Sequence, residues 1–277
     1  MKDLRPSPIA GAWYPGDPRA LKQSIDRYLA SAQTDALQGE VIGIIVPHAG
    51  HRYSGAVAAN AFRCVRGLQP EVVCILSPLH EPRPGRLFTT GHDAYQTPLG
   101  AVPVDLQCLE HLEHQLPKGI ELRRIRNDHE HAIEIELPFL QRIFPTIPSL
   151  LPIMMRTDSP AVVRGVAAAM ANTLRSRSAL LIASSDLSHF HTATAAKKLD
   201  QTVLQHIEAL DPDGLLLAVE EGRGMACGSG ALAATLWAAR ELGANQAKVL
   251  DYAHSGEITG DLSAVVGYAA VALLRTE

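Results

Sequence analysis

The chain has 277 residues, 47% hydrophobic and 19% charged, with a formal net charge of −4. That length can bury a full core, and the charge balance offers neither a basic face for nucleic acid nor a polybasic patch for a membrane surface. Four scattered cysteines (Cys64, Cys74, Cys108, Cys227) form no CxxC pair, which argues against a disulfide framework or a structural zinc knuckle. Twelve histidines stand against five phenylalanines and two tryptophans, so metal or proton chemistry is worth seeking.

The N-terminal stretch MKDLRPSPIAGAWYPGD lacks the apolar core of a signal peptide. No run reaches the roughly 18 apolar residues of a membrane span. A cytoplasmic protein with reduced thiols is expected. A helix over 18–32 precedes a buried-type strand, VIGIIV (41–46), then a helix over 54–66 and a second strand, EVVCIL (71–76). Segment 81–103, rich in proline and glycine, reads as an irregular excursion. Segment 130–144 reads as helical, with Pro138 either kinking it or marking its true start. A helix over 160–175 opens well, since Asp158 or Ser159 can cap it and Pro160 suits the first turn. Strand ALLIAS (179–184) follows, then helices over 193–209, 211–220 and 229–242. Strands KVLDYA (248–253) and SAVVGYAAVAL (263–273) close the chain. This alternation predicts an α/β protein: one three-layer α/β/α domain over 1–277, its mixed, mainly parallel sheet covered on both faces.

Three of those strands share an ending. VIGIIV runs through Pro47 to His48, VVCILSPL runs to His80, and LLIASSDLS runs to His189. Turns at the carboxyl ends of parallel strands share the edge where ligands bind, so the three imidazoles are candidates to converge. For each alone the plainer reading is a strand-end residue bonded to a loop carbonyl; for all three together that reading is the weaker one. Cys227 precedes Gly228-Ser229-Gly230 and an alanine-rich helix, where a helix N-terminus favours thiolate for ligation or attack. A small buried cysteine in a tight turn is the plain alternative. The segment NDHEHAIEIELPFL supplies Asp128, His129, Glu130, His131 and Glu134. His131 and Glu134 share a face if that segment is helical and then suit a metal, while Glu130 suits the orientation of a ligand histidine; for most of these residues a solvated helix start with acidic side chains at its positive end is the plainer reading. In DYAHSGEITGD, Asp251, His254 and Asp261 are at most pocket walls.

Taken in order, AGAWYPGD, PHAGHRYSG, SPLHEP, EHAIEIELPFL, SSDLSHF, ACGSGAL and DYAHSGEITGD with VVGYAA resemble the Memo family, called AmmeMemoRadiSam system protein B in bacteria and archaea. The resemblance implies a fold similar to class III extradiol dioxygenases, which hold non-haem Fe(II) with two histidines and a carboxylate. It implies that His48 and His80 take the histidine positions, Cys227 the carboxylate position and His189 that of the catalytic base, with Asp186 orienting His189. It also implies an Ammecr-type protein and a radical SAM enzyme as partners. Two departures stand out: His51 sits where relatives commonly have tyrosine, adding a possible ligand or proton carrier, and SPLHEP replaces a commoner Gly-Pro-x-His form.

Two imidazoles with a thiolate prefer copper, zinc or thiolate-tolerant Fe(II) over magnesium or calcium, and the thiolate is oxidisable. Fe(II) or copper is the expected cofactor, zinc the next choice, and open coordination positions would admit oxygen, water or a small-molecule substrate. Three functions fit: a dioxygenase-type oxidoreductase, a non-catalytic metal- or partner-binding protein on that scaffold, and a thiol hydrolase using Cys227. The last is the weakest, because CGSG is not a GxSxG elbow.

Overall fold

Short apolar runs alternating with longer amphipathic ones produce, in the computed structural model, a large mixed sheet flanked by helices; residues 3–33 and 37–277 are described. The strands are β1 (Leu4–Arg5), β2 (Glu40–Val46), β3 (Val72–Pro78), β4 (Leu87–Thr90), β5 (Ala94–Thr97), β6 (Gly100–Pro103), β7 (Leu122–Ile125), β8 (Ser149–Met155), β9 (Ala179–Ser184), β10 (His189–His191), β11 (Gln246–His254) and β12 (Val265–Arg275). The helices are α1 (Pro18–Ser31), α2 (His51–Cys64), α3 (Leu106–Gln115), α4 (Leu137–Ile143), α5 (Pro160–Leu174), α6 (Ala193–Glu208), α7 (Pro212–Glu220), α8 (Ser229–Glu241) and α9 (Gly256–Thr259). None is long and apolar enough to cross a membrane.

The large sheet runs β11-β12-β2-β9-β3-β8-β4-β7, and β10 adds to the first residues of β12. Strands β2, β9, β3 and β8 are mutually parallel, while β12 and β4 flank them antiparallel. β2, β3 and β9 are buried along nearly their whole length, as strands covered on two faces must be. Helices α1, α2 and α4 pack together on one face, and α3, α5, α7 and α8 on the other, with α6 beside α7. Caps follow the expected chemistry. Asp17, Thr192 and Asp211 each accept a backbone N–H in the first turn of α1, α6 and α7. At α5, Ser159 occupies the cap without a side-chain bond, and Asp158 instead accepts from Ser229 Oγ at 2.8 Å. That bond ties the start of α8 to the loop after β8.

Segment 81–103 is not an irregular excursion. Its β4 joins the large sheet, and β5 and β6 form a hairpin that carries β1. Each strand has four residues, too few for an alternation to stand out among the prolines and glycines. β8 departs from the sequence pattern of a strand, because Pro152 lies inside it and proline demotes a strand. It is tolerated because β4 pairs only with the last two residues of β8. In 130–144, α4 begins at Leu137 with Pro138 in its first turn, so Pro138 marks the start, and Glu134–Glu136 form a 3-10 turn.

The small sheet β1-β5-β6 anchors a buried cation. Arg5 is 1% exposed, and its guanidinium donates to Asp128 Oδ1 at 2.6 Å, to Glu134 Oε2 at 2.8 Å and to the Glu130 carbonyl at 2.6 Å. Burial works against its charge, yet Asp128 and Glu134 hold its pKa above the ordinary value. Glu134 also accepts from Tyr14 at 2.6 Å and from Ser7, but burial outweighs these donors and raises its carboxyl. Asp128 is therefore the tight partner and Glu134 the costly one. Together they fix the segment that carries Glu130 and His131.

Candidate metal centre

Because β2, β9 and β3 are adjacent and parallel, the turns after them meet at one edge of the sheet. His48 lies two residues beyond β2 and His80 two beyond β3. The turn before α8 brings Cys227 to the same place: Cys227 N donates to the Asp186 carbonyl at 3.2 Å and Gly228 N to Ser185 Oγ at 3.0 Å. A side chain at 228 would meet Ser185 Oγ at 2.9 Å, so this approach needs glycine. Cys227 Sγ lies 3.1 Å from His48 Nε2, and one ligand atom each of His48, His80 and Cys227 lie within 4.8 Å of one another. An ion with bonds of about 2.0–2.3 Å wants donors roughly 3.3–3.6 Å apart, so adjustments of about an ångström would close the set.

The outer hydrogen bonds arrange the donor atoms. His48 Nδ1 bonds Ser184 Oγ at 3.0 Å, whose own proton goes to the Ala132 carbonyl at 2.6 Å. His48 therefore carries its proton on Nδ1 and turns the Nε2 lone pair to Cys227, whose S–H donates to it. Burial, then the neighbouring His80, push the His48 pKa down to about 3, so the ring is neutral. Burial also raises the Cys227 thiol, with Asp186 adding to the shift; an ion there would have to displace the proton. His80 Nδ1 donates to Glu130 at 3.0 Å and its backbone N at 2.5 Å, leaving Nε2 free. Burial opposes charge on His80, but Glu130 raises its pKa.

Glu130, His80 and His131 form a second close set of donors, but its hydrogen bonding argues against a cation there. The Glu130 carboxylate already accepts from the backbone N–H groups of His80, His131 and Ala132 as well as from His80 Nδ1. Burial opposes its charge, yet the His80 bonds hold its pKa low. Glu130 is the shared acceptor that orients these rings.

Beside His48 and His80 opens a cavity of about 560 Å³, while Cys227 borders a separate recess that it shares with His80. Its lining includes His48, His80, His131, His189 and Asp186 together with Trp13, Tyr53, Phe190 and Tyr268, and among the described residues no lysine or arginine lines the cavity. His131 stacks on His80 with centroids 4.8 Å apart and touches Trp13 at 4.1 Å. Burial, then His48, lower the His131 pKa. His189 Nδ1 donates to the Leu187 carbonyl at 2.9 Å, leaving Nε2 unengaged. Phe190 is 77% exposed at the mouth and has φ of 62°, a left-handed conformation costly for a bulky residue.

Several expected site residues take other roles or sit elsewhere. Asp186 does not bond His189; its Oδ1 accepts the backbone N–H groups of His48 at 2.7 Å and Ala49 at 3.2 Å. It thus shapes the His48 loop. Glu134 turns to Arg5, away from His131, because their segment is not α-helical. His51 lies in the core, its Nε2 donating to the Ile135 carbonyl at 2.8 Å and its ring against Phe139; it does not line the cavity. Asp251 accepts from Asn60 beside α2, and His254 lines a separate depression with Lys197 and Lys198. Asp128 pairs with Arg5, His129 is exposed, and Asp261 bonds Ser263. Sequence reasoning passed over Ser184 and the aromatic side chains of the cavity. Ser184 opens the SSDLSHF motif, and Trp13, Tyr53 and Tyr268 lie in AGAWYPGD, PHAGHRYSG and VVGYAA, but nothing in their spacing singles them out.

A family model described as Memo-like protein matches residues 5–272. A MEMO1 family protein of Nitrosopumilus maritimus is 32% identical over 273 residues, covering 97% of this chain and 98% of its own. One from Methanopyrus kandleri is 33% identical over 278 residues, covering 96% and 98%. Another from Methanothermobacter thermautotrophicus is 34% identical over 276 residues, covering 96% and 99%. On the extent of these matches, the chain belongs to the Memo family.

Proposed function

We propose that the protein is a metal-dependent oxidoreductase of extradiol-dioxygenase type that holds Fe(II) or copper through His48, His80 and Cys227. The observation that carries this reading is the convergence of three donors, two of which, His48 and His80, line a cavity that also bears a histidine outside the set, His189. The donors fit such an ion: two imidazoles with oriented lone pairs and a thiol suit a soft or borderline transition metal. When bound, the ion would supply open positions for substrate and redox chemistry.

The remaining work falls to the chain's own groups. Glu130 and Ser184 fix which nitrogen each ring presents. Asp186 holds the His48 loop through two backbone N–H groups. His189, with Nδ1 engaged by Leu187, offers Nε2 to take a proton from a substrate hydroxyl. The aromatic side chains limit water and favour an uncharged, largely apolar substrate, since among the described residues no lysine or arginine lines the cavity.

Anaerobic purification followed by elemental analysis tests the assignment. One transition-metal ion per chain is expected, lost in His48→Ala and His80→Ala and retained in His111→Ala, whose residue is exposed on α3. Equal metal content in all three variants would overturn it.

A further inference from the structure

Ser184 closes β9 directly behind His48, and its hydroxyl meets three groups at once. The Ala132 carbonyl is 2.6 Å away, His48 Nδ1 3.0 Å and Glu136 Oε1 3.0 Å. A hydroxyl brings one proton and two lone pairs. The Ala132 carbonyl can only accept and is nearest, so the proton belongs there. The two remaining neighbours then face oxygen lone pairs, and each must bring a proton of its own. For His48 this is the Nδ1 proton. For Glu136 it requires a carboxylic acid, because a carboxylate would set two oxygen lone pairs against each other in a buried site, a costly arrangement.

We propose that Glu136 is a neutral acid that donates to Ser184 and, through it, holds the His48 ring with the Nε2 lone pair facing Cys227. It is a positioning residue, acting through Ser184 and touching neither cavity nor ion. Its surroundings fit that role. Glu136 is 1% exposed, in the 3-10 turn before α4, whereas Glu134 two residues earlier meets the Arg5 guanidinium. Burial, with Asp186 repelling further charge, pushes the Glu136 carboxyl well above its ordinary range. The consequence for ligation rests on the metal reading above; the proton positions do not.

The test uses the full chain without metal. The infrared difference spectrum between wild type and Glu136→Gln at neutral pH is expected to contain a protonated-carboxyl C=O band; a carboxylate band there instead overturns the proposal. Nitrogen-15 spectra of labelled histidine are expected to show His48 protonated at Nδ1 in wild type and in Glu136→Gln, whose amide can still donate to Ser184. In Glu136→Leu the Ser184 hydroxyl loses the donor that keeps its proton turned to Ala132, and the His48 signal is expected to move toward a mixture of tautomers. Binding of Co(II), a spectroscopic probe of the site, is expected to stay within about 3-fold of wild type in Glu136→Gln. It should weaken roughly 10–100-fold in Glu136→Leu, the usual loss when an outer partner of a ligand is removed. A loss in Glu136→Gln as large as in Glu136→Leu would refute it. If Glu136→Leu fails to fold, the infrared band and the Glu136→Gln comparison still decide. The two spectroscopic readouts need no metal, so they also decide if the metal reading fails.

Discussion

Replacing Arg5 with methionine keeps much of the side-chain volume and removes the charge. Asp128 and Glu134, 5% and 0% exposed, are then left buried with no guanidinium between them, and the Glu130 carbonyl loses its donor. Breaking a buried ion pair from one side costs about 3–5 kcal/mol, and an orphaned carbonyl adds roughly 1–3 kcal/mol. A loss of about 5 kcal/mol is expected, a large share of the roughly 5–15 kcal/mol that holds a domain folded. Urea unfolding followed by circular dichroism at pH 7.5 measures it. The sign with pH is also fixed. Burial already holds the Glu134 carboxyl above its unfolded value, and losing Arg5 raises it further. A carboxyl raised in the folded state contributes stability below its unfolded pKa and loses it as pH rises through the folded one. The gap between variant and wild type should therefore narrow as pH falls from 7.5 toward 5. A loss under about 1 kcal/mol at pH 7.5 would show that the buried guanidinium is not what holds the segment.

Other consequences are as open to measurement. If the Fe(II)-loaded protein consumes oxygen with a dihydroxylated aromatic compound, His189→Ala should cut turnover by roughly 10²–10⁴-fold and leave metal content unchanged; loss of metal would make His189 a ligand. Gly267→Ala should destabilise by about 1–3 kcal/mol, because its Cβ would lie 2.0 Å from Asp200 Oδ2. Asp200 accepts from Ser188 N at 2.8 Å and Tyr252 OH at 2.8 Å, so this variant should also disturb neighbouring His189, read as a shift in its histidine NMR signal. Burial lowers the His51 pKa to about 4, below its unfolded value near 6.5. Such a histidine stabilises above the unfolded pKa and loses that contribution as pH falls through 6.5 toward 4. His51→Gln, which can still donate to Ile135, should flatten that acid limb in denaturant titrations; an unchanged limb would contradict the buried neutral ring.

Strands β2, β3 and β9 were legible because burial on both faces leaves an unbroken apolar run. The histidines after them were legible because parallel strands put successive turns at one edge. Glu130, Glu134 and Glu136 show where legibility ends. They fall within seven residues, yet one orients His80, one meets Arg5 and one meets Ser184. A helical reading puts the wrong pairs on one face, and only the 3-10 turn and the packing around it sort them. Arg5 was equally hidden, since an arginine near a terminus ordinarily stays in water and its partners lie more than a hundred positions away. Asp186 was misread through its neighbour: proximity in sequence suggested His189, but the strand order sets it beside the His48 loop.

The contact between Trp13 and His131 gives the cavity a built-in optical probe. The chain has two tryptophans. Trp237 is 8% exposed on α8, beneath the Arg164 guanidinium at 4.6 Å, and does not line the cavity. Trp13 stands at the mouth with its ring 4.1 Å from the His131 imidazole. Indole emission depends on the charge and polarity of what it touches, so occupation of the cavity or protonation of His131 should register in the Trp13 component alone. With Trp237→Phe as background, unlabelled protein becomes its own titration reagent for screening metals and small molecules.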